Sequence, residues 1–225
     1  MNAMRRTRCL TLKPMLWIAI LTLSAGCVAK PVRKITGKPA GAPPWRIAVL
    51  PGQMSEKEQK EAAGKMDERL AERRASIEEI RVCMTLHVPG DPYEVIPLPV
   101  VDRVLPPGTV IPPGPEAIRS AARALDADLV LVPEIRSWKR RYYLLHAVAR
   151  VGITARVYDG ATGKLLFESM HEQVRNQGVL KLPPAPFAVL AGPIVGMQHI
   201  YMADMCRNVS AKIGEDLRAL GKVDP

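Results

Sequence analysis

Four histidines, four cysteines and one cluster of basic and aromatic side chains are the places where this sequence could do chemistry. His87, His146, His171 and His199 lie far apart, and none sits four positions from another, so the helical pair that binds zinc is missing. His171-Glu172 begins like a zinc-protease motif, but Val174 and Arg175 follow where a second His is needed. No phosphate loop follows the first apolar run, because Pro51-Gly52-Gln53-Met54 lacks both the spacing and the Lys. There is no Gly-x-Ser-x-Gly elbow either. Asp126 and Asp128 flank a helix-to-strand junction, where capping and turning suit them better than acid–base work. No metal, cofactor or enzymatic activity is therefore expected, and a hydrolase assembled from distant residues is the remaining catalytic alternative. The other cluster surrounds Trp138. Arg136, Lys139, Arg140 and Arg141 flank it, and Tyr142 and Tyr143 follow. Arg, Trp and Tyr are enriched in binding hot spots. Arg136, Trp138, Arg140 and Arg141 thus form a partner-binding candidate, against the plainer reading of a solvated strand end with its Trp packed on a sheet.

The cysteines divide by position. Arg5, Arg6, Arg8 and Lys13 make a basic start, and no acidic residue precedes Glu56. Met15 to Leu23 is an apolar run too short for a membrane span, which needs about 20 residues. This is the pattern of an export signal. Leu23-Ser24-Ala25-Gly26-Cys27 resembles a bacterial lipobox, with Leu23 one step earlier than usual. That resemblance implies cleavage after Gly26, acylation of Cys27 by palmitate-like chains, and a membrane partner held through the N-terminal lipid. Each buried methylene contributes about 0.8 kcal/mol, so several chains anchor firmly. Val28, where an inner-membrane lipoprotein of the enterobacterial type tends to carry Asp, points to the outer membrane with the protein facing the periplasm.

The formal net charge of +10 is misplaced for a nucleic-acid binder. Four basic residues lie in the signal and four more (Lys30, Arg33, Lys34, Lys38) in Val28–Pro44, with no acid in either. From Trp45 onward, 24 Lys and Arg meet 22 Asp and Glu. The basic excess belongs on the folded domain of a nucleic-acid protein, so nucleic acid is excluded as a partner. The sequence thus divides into a signal (1–26), a lipidated basic Pro/Gly-rich tether (27–44) and a domain (45–225) long enough for a real core.

Arg46–Pro51 has the look of a first strand, closed by Pro51-Gly52. Ser55 and Glu58 form a capping-box pattern opening a helix with Ala63, Met66 and Leu70 on one face. Val82, Met84, Leu86 and Val88 alternate with polar residues, which predicts a second strand. Tyr93–Leu98 predicts another, and Val100–Leu105 a helical turn. Pro115 opens a helix with Ile118, Ala121, Ala122 and Leu125 on one stripe. Leu129–Val132 predicts a central strand. Apolar residues at the odd positions from Tyr143 to Val157 predict a long half-buried strand, with Asp159–Gly163 as turn and Lys164–Val174 as its hairpin partner. Val179–Met197 is apolar but broken by prolines, so it predicts a loop over the core or an exposed contact patch. Met202, Cys206, Val209, Ile213, Leu217 and Leu220 mark an amphipathic last helix. The expected fold is a single-domain α/β sandwich with a mixed sheet that includes a long antiparallel hairpin.

With Cys9 removed with the signal and Cys27 consumed by lipid, Cys83 and Cys206 remain. An exported pair suggests a disulfide; two separately buried thiols are the alternative. Cys206 lies on the last helix's apolar stripe, while Cys83 shares its strand-like face with Thr85 and His87.

Three segments together resemble a family of bacterial outer-membrane lipoproteins of unknown function: Ile47–Pro51 (IAVLP), Asp126–Pro133 (DADLVLVP) with Trp138 and Tyr142 beyond it, and Val157–Phe167 (VYDGATGKLLF). That family is similar in fold to the amino-terminal domain of TolB and the periplasmic domain of CsgG. This sequence departs from it in Arg81–Asp91, which resembles an insertion, and in the proline density of 106–115. The resemblance brings no catalytic residues. It implies a lipid-anchored module with an envelope protein partner, assisting an assembly or secretion machine; a regulator or activator of a cell-wall enzyme is the alternative. It implies no oligomeric state.

Overall fold

A computed structural model of the chain describes residues 43–56, 59, 67–111, 114–143, 146–178 and 202–221. The signal, Cys27, most of the tether and Val179–Met197 lie outside the described residues, as do Glu58, Ala63 and Met66.

The sheet runs in the order β3 (Tyr93–Val95), β1 (Trp45–Val49), β4 (Leu129–Tyr143), β5 (His146–Asp159), β6 (Leu165–Gly178), with the short β2 (Gln53–Met54) beside β4 beyond the end of β1. β3, β1, β2 and β4 are parallel, whereas β4–β5 and β5–β6 pair antiparallel. The mixed sheet and its long hairpin are as the sequence pattern implied. Strands β1 and β4 carry continuous apolar runs because helices cover both of their faces; Ile47, Ala48, Val49 and Leu50 are fully buried.

On one face lie α1 (Asp67–His87) and α4 (Met202–Gly221), packed over Leu129, Leu131, Ile135 and the odd-numbered row Ala147–Val157 of β5. A Cβ at Gly214 would fall on the His87 carbonyl oxygen, so glycine there lets α4 cross against the end of α1. On the other face α2 (Leu98–Val104) and α3 (Pro115–Leu125) bury Val101, Ile118, Ala121 and Leu125 against Ala48, Val130 and Val132. Asp126 ends α3 in the left-handed conformation (φ 50°) and pairs with Arg46, while Asp128 accepts a hydrogen bond from the Arg46 backbone N–H at 3.0 Å. The two aspartates cap and turn, as expected from their place at the junction. In the β5–β6 turn, Asp159 accepts from both the backbone and the hydroxyl of Thr162, and Gly163 supplies the positive φ of 69°.

Two elements differ from the sequence pattern. Val82–His87 is helical and forms the end of α1, so Arg81–Asp91 is a helix end and turn, not an inserted strand. The apparent alternation there is spurious, because Val82 and Leu86 are 40% and 71% exposed, while Ile80, Cys83 and Met84 are buried at helical spacing. Helix propagates once nucleated, and the Glu/Arg-rich stretch before it meets no breaker until Pro89-Gly90. Tyr143 belongs to β4, not to β5, because β4 runs on through Pro133 for 15 residues.

Candidate functional site

The connections around β1 create the site. β1 leads through α1 to β3 on one side, and β3 leads through α2 and α3 to β4 on the other, so the crossing helices leave toward opposite faces. Ligands of open α/β sheets bind beyond the carboxyl ends of strands where the chain diverges in this way. Beyond β1 lies a groove of about 1310 Å³. Its walls are Gln53–Glu56 with Gln59 on one side and the Val110–Ile111 loop on the other, joined by the Gln53 side chain donating to the Ile111 carbonyl at 2.9 Å. Its floor is the face of β4, β5 and β6 that α2 and α3 leave uncovered.

A β-bulge decides which side chains reach that floor. The β4–β5 register shifts between Ile135 and Ser137, with Arg136 as the extra residue. Such a bulge re-aims the strand beyond it. Before it, odd positions of β4 face α1 and α4; after it, even positions do. Trp138 opposite Val151 therefore continues the buried row and packs, half-buried, on the main core. Arg140, opposite Ala149, lies on that same side. Ser137, Lys139 and Arg141 turn into the groove, and Arg136 lines it too.

The candidate cluster read from the sequence is thus split. Arg136 and Arg141 belong to the groove with Lys139, whereas Trp138 and Arg140 belong to the opposite face. The hot-spot pattern depended on the four side chains sharing one surface. The structure also adds residues that sequence inspection passed over: Arg150 and Arg156 on β5, Glu134 on β4, and Glu168 and Glu172 on β6. Arg156 bridges Glu134 and Glu168, the latter at 2.7 Å, and Arg136 also reaches Glu134 at 3.2 Å. Burial opposes the Arg156 charge, but these carboxylates outweigh it and raise the guanidinium above its ordinary value. Burial also raises the neighbouring Tyr158 hydroxyl. Polar residues at even positions of β5 were the available signal, though periodicity alone assigns them only to a solvated face.

Outside the groove, Asp216 on α4 accepts from Ser169 Oγ at 2.5 Å and lies 2.8 Å from His171 Nε2, both on its Oδ2. The hydroxyl thus donates to the carboxylate, not to the imidazole, which is the wrong order for activating a serine. His87 Nδ1 is held by the Cys83 carbonyl at 2.7 Å. Among the described residues no group of His, Cys, Asp and Glu could hold a metal ion, and no helix is long and apolar enough to cross a membrane. Cys83 and Cys206 are brought together as buried free thiols. The hydrogen bond from Cys206 lowers Cys83, while Cys83 and burial raise Cys206.

No protein-family model and no curated protein matches the chain. Solved structures similar to it include the PelC dodecamer from Paraburkholderia phytofirmans, at 13% identity over 82% of this chain and 94% of that one, with a TM-score of 0.43. Lipoprotein GNA1162 from Neisseria meningitidis is 19% identical over 69% of this chain and 98% of its own (TM-score 0.38). The C-terminal domain of LpoB from Salmonella enterica is 9% identical over 60% and 86% (TM-score 0.30). Several of these neighbours are lipoproteins. The likeness is distant, and residue roles in this chain rest on its own geometry.

Proposed function

We propose that the chain is a lipid-anchored binding module facing the periplasm from the outer membrane, that it assists an envelope assembly or secretion machine, and that its partner docks in the groove over β4–β6. The observation that carries this reading is the groove itself, a large polar concavity at the chain's divergence point, floored by rigid strands and lined by more cations than acids. The lipobox at Cys27 and the resemblance to envelope lipoproteins support the location.

Anchoring has a direct test. Cys27→Ser is expected to abolish incorporation of a fatty-acid probe and to release the protein from the outer-membrane fraction. Unchanged labelling would overturn the anchor.

Docking is tested in intact cells with a photo-crosslinking residue at Met170 on the groove floor and, as control, at exposed Arg218 on α4. A discrete adduct is expected from Met170 alone. The double substitution Lys139→Glu/Arg141→Glu should weaken it about tenfold or more, the scale of a hot spot, while Arg140→Glu on the opposite face leaves it intact. A cell-wall synthetic enzyme in the adduct would shift the reading to an activator. An equal adduct from both positions would remove the groove as the docking site.

A further inference from the structure

The two edges of the sheet are built differently. β3 is 3 residues long and lies between Pro92 and Pro97. A short edge with prolines beside it discourages the addition of another strand. β6, at the other edge, is 14 residues long and contains neither Pro nor Lys. From Phe167 to Gly178 its pairing with β5 is unbroken by any bulge. Among the described residues no strand meets its outer side, so a row of backbone N–H and C=O groups there points away from the sheet. Near the Asp159–Gly163 turn, α4 holds the strand through Asp216, which takes the Ser169 and His171 side chains. Farther along, Glu172, Val174 and Asn176 are exposed on the groove face, Val174 at 44%.

A second copy of the chain fits this edge in a particular register. A two-fold axis perpendicular to the sheet makes the two strands antiparallel and keeps both grooves on one side. It pairs residues equally spaced before and after the axial residue. An axis at Met170 sets Glu168 on Glu172, and one at Gln173 sets His171 on Arg175. Axes at His171, Glu172 and Arg175 set each of these on itself. Like charges directly opposed destabilise a sheet, histidine counting when protonated. Of the axes from Met170 to Arg175, the one at Val174 avoids every such pair. There the exposed Val174 meets its copy, and Glu172 meets Asn176 while keeping Arg150 at 3.0 Å. The Asn176 amide is a donor suited to that carboxylate. We infer that the chain forms a two-fold dimer by antiparallel pairing of β6 with β6 of a second copy, centred on Val174. One sheet then runs through both copies, and the floors of the two grooves lie side by side on the same face. The dimer does not depend on what fills the groove. Met170 lies opposite Gly178 of the second copy in this register, so a self-adduct from a photo-crosslinker there has twice the chain's mass and is told from a heterologous adduct by size.

Full chains carrying two different affinity tags, co-expressed and extracted in mild non-ionic detergent, should co-purify. Val174→Lys places two cations on the axis and should lower recovery of the second tag about fivefold or more. Asn176 reads the register. Asn176→Glu sets a carboxylate against Glu172 twice per dimer and should weaken pairing as strongly, whereas Asn176→Lys at the same exposed position should keep it. Each variant is compared at unchanged circular dichroism. An equal response to Asn176→Glu and Asn176→Lys would overturn the Val174 register, and failure of the unaltered chains to co-purify would overturn the dimer. In cells, Val174→Cys treated with an oxidant or a short bis-maleimide should give a species of twice the chain's mass, linked at position 174 of both copies. Val110→Cys, at a site 79% exposed, should not. Equal dimer from both positions would reduce the contact to collision, and Val174→Cys linked to a different protein would overturn self-pairing in favour of a partner's strand.

Discussion

Asp102→Ala is expected to destabilise the domain by about 3 kcal/mol, far more than a surface ion-pair deletion, because it strands a buried charge. Arg81 on α1 is wholly buried, and its guanidinium reaches Asp102 on α2 at 2.6 Å, Glu78 at 3.2 Å and the Val49 carbonyl at 3.4 Å. It passes the end of β1 and ties the helix layer on one face of the sheet to that on the other. The partners are unequal in burial, the Asp102 and Glu78 side chains being 32% and 40% exposed. Removing Asp102 leaves the cation in the interior with Glu78 as its one remaining ion-pair partner among the described residues. Arg81→Met removes the buried charge itself, along with an Nη2 that has no partner among the described residues, and returns two carboxylates to water. The methionine variant should therefore cost clearly less than Asp102→Ala, and adding Asp102→Ala to it should cost little more. Urea unfolding of the four proteins at pH 7 gives the coupling directly. A change at Asp102 below about 1 kcal/mol, the usual range for exposed pairs, would show that the bridge is solvated.

That bridge also shows where sequence reading stops. Arg81 stands at the head of an apparent strand, where an arginine is naturally assigned to solvent; nothing local reveals that a helix turns it inward toward Asp102. The same misread period put Cys83 on a doubtful strand face, although helical spacing places it with Ile80 and Met84 against the core. Elements with a single strong period were legible. The stripe of α3, the odd-position row of β5 and the Asp159–Gly163 turn each follow from local sequence. The groove was legible only in part. Its cations are visible as residues, but the parity of β4 reverses at the Arg136 bulge, and a bulge carries no distinct local signature in this segment. Without it, Arg136 and Trp138, two residues apart, would share one face. Arg150, Arg156 and Glu172 enter the site through strand pairing, which no local pattern specifies.

Cys83 and Cys206 should be joined by a disulfide when the protein is made with its export signal and exposed to the oxidising periplasm. Cys83, on the core side of α1, and Cys206, on the core side of α4, bring two buried thiols into contact. During folding, one thiolate of the pair attacks a sulfur of an oxidoreductase disulfide, releasing that enzyme's other sulfur as a thiolate, and the second cysteine then loses its proton and displaces the enzyme, whose disulfide leaves reduced to two thiols. The two cysteines are about 120 positions apart, and closing a loop of that length stabilises by about 5 kcal/mol in the chain-entropy model. At about 2–4 °C per kcal/mol for a domain of this size, the oxidised protein should melt at least 10 °C above the reduced protein and above Cys83→Ser. The same chain expressed without residues 1–26 should keep both thiols and lose that margin. Peptide mass mapping of unreduced periplasmic protein should show one Cys83–Cys206 crosslink. Quantitative alkylation of both thiols in that material, without prior reduction, would establish the reduced pair as the working state and overturn the bond.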